Sequence, residues 1–377
     1  MGPRALAHPG GLGMGGRVAA WGAAIGLSWS SAACGGGASS ARPVTQAQRQ
    51  ASAPAPSSGR EAATAAGAQQ LTPAVTAGKE HSCGLDVNGR VECWGSDSFG
   101  QARALGHRYV QIAAGMMHTC ARTADGRVDC WGLSGNGRTS PPEGRYKQIS
   151  AGGDHTCAIT TDGDVTCWGN GDQGETFVPE GFFQHVSAGH DHTCGVTEQG
   201  QLLCWGDDSE GEAQPAAGQF VRVAAGGDHS CAIDVEGAIH CFGDNRYQQC
   251  AAPEGKFVLI SAGARHSCAM REDGSVVCWG AGASGARGFP NFGQSAAPAG
   301  PFVHIAAGDA HSCGITSEGW VTCWGSNGGG RASPSLGFAA AEEIQEQQAA
   351  QDQPAEDGGG KRLMMPTVRK QREALDD

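Results

Sequence analysis

The chain has 377 residues, a formal net charge of −12, 62 glycines and 16 cysteines, with only 6% aromatic and 17% charged residues. Such a composition is rich in turns and excludes an architecture of long helices. The acidic balance is also the wrong sign for a nucleic-acid partner, because phosphate backbones are bound through an excess of Lys and Arg.

Residues 1–34 read as an export signal, with Arg4 and Arg17 supplying positive charge and Val18 to Ala33 a small, apolar stretch. That stretch is too short and too rich in Ser and Gly for a membrane span. Ser31-Ala32-Ala33 before Cys34 resembles a bacterial lipobox, with Ser31 where Leu is usual. Under that reading Cys34 is the lipidated first residue of a protein held in the bacterial cell envelope. Plain secretion with cleavage elsewhere, or a start that is no signal at all, are the alternatives. Residues 35–70 are mostly Ala, Ser, Gly, Pro and Gln, which cannot bury a core, so a disordered linker is expected. As a flexible coil it would reach about 33 Å.

Residues 71–337 carry one unit seven times: a His-x-Cys, a Gly six residues past that Cys, and a second Cys ten residues past the first. The first cysteines are Cys83, Cys120, Cys157, Cys194, Cys231, Cys268 and Cys313; the second are Cys93, Cys130, Cys167, Cys204, Cys241, Cys278 and Cys323. Five steps are 37 residues and the last is 45, so one boundary holds an eight-residue insertion. A fixed period of this length points to a single repeat architecture.

The third unit serves as template. Tyr146 to Gly152 begins with the alternation of a strand, and Cys157 to Thr160 and Asp164 to Trp168 flank Thr161-Asp162-Gly163, a three-residue hairpin turn. With Asp162 at the centre of the turn, Cys157 and Cys167 face each other across the hairpin. Facing residues on antiparallel strands are close enough for a disulfide, so one bridge per unit is expected, seven in all. Rings recur in register: Tyr109, Tyr146, Phe183, Phe220, Phe257 and Phe302 at the start of the first strand, with Thr72 in the first unit. Trp94, Trp131, Trp168, Trp205, Trp279 and Trp324 follow the second cysteines, with Phe242 in the fifth unit. A ring at the same place in every unit is what packing between units needs. The fold class expected is all-β: a seven-bladed β-propeller with short blades of three to four strands.

Residues 338–377 lose the pattern; Ala339 to Gln351 has the composition of a short helix, and the rest reads as a mixed-charge, low-complexity tail.

The strings AGGDHTCAITTDGDVTCWGNGDQG, AGGDHSCAIDVEGAIHCFGDN and AGARHSCAMREDGSVVCWGAG resemble repeats of the regulator of chromosome condensation family. The likeness covers about residues 71–337, and the short units are similar to those of exported bacterial members, which include a secreted beta-lactamase inhibitor. The resemblance implies a propeller fold. The family's guanine-nucleotide exchange and chromatin binding come only as analogy, against an acidic chain with an export signal.

The residues argue against chemistry in the repeated positions. His81, His118, His155, His192, His229, His266 and His311 fall at one equivalent place, where a hydrogen bond to a neighbouring loop is expected rather than a metal, since short C-x2-4-C spacings are absent. Gly169 to Gly174 matches G-x-G-x-x-G but leads into no helix, so it reads as a turn. Asp207, Asp208, Glu210 and Glu212 lack the ligand set of a calcium loop and read as a solvated acidic loop. No nucleophile elbow or zinc-protease motif occurs.

We therefore expect no enzyme, no catalytic residues, no metal and no cofactor. The expected protein is an exported monomer that binds an unidentified protein partner through its loops, with membrane contact only through a lipid anchor. An enzyme inhibitor or hydrolase at the propeller face, or an exchange factor by analogy, are the alternatives. The pattern breaks at Gly280 to Gly300, where Arg287, Phe289 and Phe292 form a candidate binding loop; a loop covering the seam between the sixth and seventh units is the other reading. It breaks again at Cys250, outside the paired register, where a free thiol is expected and a partner in another chain is the alternative.

Overall fold

The computed structural model describes residues 71–283 and 288–334, and within them each repeat is one three-stranded antiparallel sheet. In blade three the inner strand is Tyr146–Ala151, the middle strand His155–Thr160 and the outer strand Val165–Gly169. Every blade is cut from contiguous sequence in this order, so among the described residues no strand is shared between the two ends of the ring. The signal, the linker, Cys34 and the tail from residue 338 lie outside the described residues. Among those described, no helix is long and apolar enough to cross a membrane.

The hairpin register follows from the turn. Thr160 N–H donates to the Asp164 carbonyl and Gly163, at φ +104°, supplies the left-handed residue that closes three-residue hairpins. Cys157 then lies opposite Cys167. All seven pairs are disulfide-bonded, with Cα separations of 4.0–4.1 Å. The middle-strand cysteine is fully buried each time, for example Cys157, while its outer partner is half-buried.

Packing runs from blade to blade. Cys157 and Ile159 of blade three pack with Phe183, Val186 and Trp205 of blade four, and the same set recurs around the ring. The seam obeys the same rule: Val75 and Trp94 of blade one meet Cys313, Ile315 and Val321 of blade seven. Each blade alone presents one small sheet with little to bury, so its core exists only against a neighbour.

Polar contacts repeat with the packing. The indole N–H of Trp131, Trp168, Trp205, Trp279 and Trp324 donates to the backbone carbonyl thirty residues earlier, at 2.8–3.0 Å. Trp94 closes the ring by donating to Arg331 O at 2.9 Å. Phe242 has no such donor, and Glu212 O keeps only the Ser230 hydroxyl at 3.2 Å. Replacing Phe242 with Trp is therefore expected to add one buried hydrogen bond, about 1 kcal/mol, and to raise Tm by about 2–4 °C. An unchanged or lower Tm in calorimetry would show that blade five cannot seat the indole.

At the centre, the inner strands end in a ring of glycines. A Cβ on Gly152 would overlap the carbonyl oxygen of Gly189, and one on Gly189 would meet Gly226 O, and so on to Gly308 against Gly78. Only glycine lets the backbones approach this closely. Met116 N–H donates to Gly152 O at 3.1 Å and Gly153 N–H to Gly189 O at 2.9 Å, tying the turns together. We call this end of the propeller the glycine-ring face.

Candidate functional site

The seven histidines come first because they are the most chemically suggestive set. Each precedes a hydroxyl residue in sequence and bonds the hydroxyl of the next blade: His81 Nε2 to Thr119 Oγ1, His155 Nε2 to Thr193 Oγ1 and His229 Nε2 to Ser267 Oγ, all 2.8 Å. His311 to Ser82, at 2.7 Å, closes the circle. The partner is thus a middle-strand side chain rather than the loop expected from sequence. Thr119 and Thr193 donate their own protons to Gln101 O and Glu175 O at 3.0 Å. Their oxygens must then accept from the imidazoles, which fixes the neutral Nε2–H tautomer. The Nδ1 atoms are buried without a partner. Burial is the main force that lowers these pKa values, to about 4 for His81 and about 3 for His118, His155, His192, His229, His266 and His311. Neutral, buried and bonded to the hydroxyl of the next blade, each imidazole fastens one blade to its neighbour.

The sequence-level candidates sort by position. Among the described residues no group of three or more His, Cys, Asp or Glu side chains is arranged to hold a metal ion. The acidic loop is engaged with itself: Asp207 accepts from Asp208 N–H and Ser209 Oγ, and Asp208 from Ala213 N–H and Gln214 Nε2. In the glycine-rich turn, the Glu175 carboxylate accepts from Asn170 Nδ2 and Gln173 N–H. That negative charge opposes a phosphate.

Cys250 has no disulfide partner among the described residues. It is half-buried, its thiol donates to Asp244 O at 3.2 Å, and burial first, then the Asp244 charge, pushes its pKa up to about 11. At neutral pH it is a protonated, unreactive thiol.

The insertion rises from the glycine-ring face, just after the outer strand of blade six (Val276–Gly280). Arg287 lies outside the described residues. Phe289 is 73% exposed and Phe292 41%. The loop around them is pinned by Asn291 Oδ1 accepting from Gly282 N–H at 2.8 Å and by Gln294 Nε2 donating to Pro290 O at 2.7 Å. The Arg265 guanidinium sits 5.1 Å from the centre of the Phe289 ring, a cation–π contact.

Arg265 occupies the residue before the ring histidine, and in blades three, four and five that place belongs to Asp154, Asp191 and Asp228. The same face therefore carries an acidic arc beside an exposed ring. Burial, and the charges of Glu175, Asp154 and Asp207 against the opposing His190, hold the Asp191 carboxyl above the usual range.

One set escaped the sequence reading. Two residues after each recurring aromatic is a column of which Gln111, Gln148, His185, Leu259 and His304, with Ala74 in blade one, line the central channel; Arg222 holds the same place in blade five. A bulge at Lys147, Gln184, Val221 and Val303 precedes four of these residues, shifting the register between the inner and middle strands. The signal was available, because this column varies in chemistry while the residue after it is always Val or Ile. The channel has a chamber of about 310 Å³ and narrows to about 70 Å³ at the alanine and glycine rings.

Comparison with known proteins follows the same lines. No curated protein matches the chain. Among solved structures, the CRINKLY WD40 ectodomain of the Arabidopsis thaliana receptor kinase ACR4 is 25% identical, with 68% of this chain and 97% of that one covered and a TM-score of 0.55. The ectodomain of the Physcomitrella patens receptor kinase CR4 is also 25% identical, covering 67% and 73%, with a TM-score of 0.58. Prp20p of Saccharomyces cerevisiae, described with binding properties to Gsp1p and histones, shares the fold at 18% identity, covering 74% and 84%, with a TM-score of 0.55. The profile of the regulator of chromosome condensation (RCC1) repeat matches residues 74–101, 109–138, 146–175, 183–212, 220–249, 257–286 and 302–331, one match per blade. With each match spanning the strands, turns and connector of one blade, the chain belongs to the RCC1 repeat family.

Proposed function

We propose that the protein is an exported, monomeric, non-enzymatic scaffold that holds a basic protein partner on its glycine-ring face. The carrying observation is Phe289, a ring 73% exposed on a pinned loop of a disulfide-braced propeller. Exposed aromatics on rigid loops are where binding energy concentrates. The neighbouring Asp191 and Asp228, beside Asp154 with its Arg138 ion pair, support a partner of opposite charge, steered by the field of an acidic chain. The acidity also supports a partner that is not nucleic acid. Seven disulfides support export, since cytosolic thiols are kept reduced, and the two similar plant proteins are receptor ectodomains.

The test replaces Phe289 with a photo-crosslinking phenylalanine analogue in the intact organism, with Trp320, exposed in the turn before the outer strand of blade seven, as the control position. A discrete adduct from position 289 only, lost when Asp191 and Asp228 become Asn, is the expected result. Equal adducts from both positions would remove the face assignment.

A further inference from the structure

The connectors that follow the outer strands turn back at the glycine-ring face around a buried side chain. Phe99 N–H donates to Gln101 Oε1 at 2.9 Å, and Tyr247 N–H to Gln249 Oε1 and Phe292 N–H to Gln294 Oε1, both at 2.8 Å; all three glutamines are buried. The tip residue held in this way is Gln173 in blade three and Glu210 in blade four. Blades five and six, which pack together, therefore raise aromatic tips side by side where blades three and four do not.

Between the two connectors is a groove of about 540 Å³, walled by Tyr247, Gln248 and Ala251 of blade five and by Trp279, Ala283 and Asn291 of blade six. Asn291 belongs to the pinned loop that carries Phe289 and Phe292. The blade-five wall leads into the acids of blade four. Asp244 N–H donates to Asp228 O at 2.7 Å and Asp207 N–H to Asp191 O at 2.9 Å. Arg246 is answered by Asp244 at 2.8 Å and by Glu210 at 3.4 Å. Asp191, Asp207, Asp208 and Asp228 make no ion pair among the described residues, so this side of the groove keeps an excess of negative charge.

The chain carries a segment of the opposite character. Residues 361–372 hold Lys361, Arg362, Arg369, Lys370 and Arg372 and no acid, with Leu363, Met364 and Met365 among them. Residues 335–360 hold six acids and no Lys or Arg. Beyond blade seven, positive charge is therefore confined to one short stretch behind an acidic spacer that the acidic blades repel. The spacer can bridge up to about 90 Å, against a radius of gyration of about 18 Å for a domain the size of the propeller. Length does not limit where the segment returns.

We infer that residues 361–372 of the same chain seat in this groove, their apolar side chains against Tyr247 and Trp279 and their basic ones toward Asp191 and Asp228. Methionine suits such a seat, because an unbranched thioether fills irregular apolar surface. The inference rests on the reading of this face as the binding face and adds its regulation. An incoming basic partner must displace a segment that its tether keeps at high effective concentration.

The experiment uses the purified, oxidised full-length chain with the photo-crosslinking phenylalanine analogue at position 289, and with position 320 as the control. Irradiation and peptide mapping should give an adduct between position 289 and residues 361–372, in a yield that does not change on dilution. Changing Lys361→Glu, Arg362→Glu, Arg369→Glu, Lys370→Glu and Arg372→Glu together alters no residue of the blades and should remove most of that yield. A synthetic peptide of residues 361–372 should bind this variant about tenfold more tightly than it binds the unchanged chain, whose own copy competes. No adduct to 361–372, equal adducts from position 320, or full yield in the variant would each overturn the assignment. A yield that falls on dilution would give the groove to a second copy and overturn it too. The partner test stays separate, since a foreign adduct from position 289 in the intact organism survives failure of the internal one. That foreign adduct should increase in the variant, and an unchanged yield would overturn the competition.

Discussion

Refolding the chain with TCEP held in the buffer is expected to yield an unfolded protein, although the sequence is unchanged and no ligand is removed. Each bridge joins cysteines ten residues apart, and closing a loop of that length in the unfolded chain is worth about 2–3 kcal/mol. The seven lie in separate blades, so their contributions nearly add and sum to about 14–21 kcal/mol. That equals or exceeds the about 5–15 kcal/mol by which ordinary domains are stable. Hydrophobic burial does not make up the difference, because each blade offers only a narrow strip such as Cys157, Ile159 and Val165. Removing one pair, Cys157→Ser with Cys167→Ser, should cost about 2–3 kcal/mol and leave the fold intact. Near-UV circular dichroism of the tryptophans is the measurement. A native spectrum in the fully reduced chain would show that the packing suffices without the bridges.

The second large effect is acid sensitivity. The ring histidines have folded pKa values of about 3 to 4, against about 6.5 in an unfolded chain. Between those values the ring positions bind up to seven more protons in the unfolded state, so the stability they contribute rises with pH there and is fully present above about pH 6.5. As pH falls from that value each histidine withdraws about 1.4 kcal/mol per pH unit. Seven acting together should unfold the propeller before any of them is protonated in place. Carboxylates held low, such as Asp234 and Asp244, act in the same direction but at lower pH. Urea midpoints should therefore drop steeply between pH 6.5 and 4.5, and His155→Gln should flatten the slope by one proton. Equal midpoints at pH 7.5 and 4.5 would contradict the neutral ring.

How much of this was legible in the sequence depends on the range of the contact. The facing of Cys157 and Cys167 follows from a three-residue turn, and local arithmetic suffices for it. The Trp and Phe columns announced packing between units because a repeat has nothing else to pack against. The partner of the histidine was visible in principle, since Ser82, Thr119, Thr156, Thr193, Ser230, Ser267 and Ser312 put a hydroxyl after every one. What was missing is the offset: the bond joins residues 38 apart, a distance set by how one blade is laid against the next. Arg222 and His304 stand two blades apart on the chain, and the charge of one reaches the other only because the ring curves. Phe242 and Cys250, both irregular in sequence, turn out to be a lost donor and a sheltered thiol, local departures with local consequences.

Every sheet being one uninterrupted stretch has a consequence for how such a gene can change. In folds that close by borrowing a strand from the opposite terminus, a duplication or deletion of one repeat leaves the borrowed strand in place but shifts every partner. Here a recombination event in register removes or adds a whole sheet, its bridge, its histidine and its hydroxyl together. What remains at the junction is still one His–hydroxyl bond and one indole-to-carbonyl bond, as His311 with Ser82 and Trp94 with Arg331 already show across the present seam. The inheritable unit and the structural unit coincide, so an in-register change in blade number keeps every contact type and is limited by whether the glycine ring at the centre still closes.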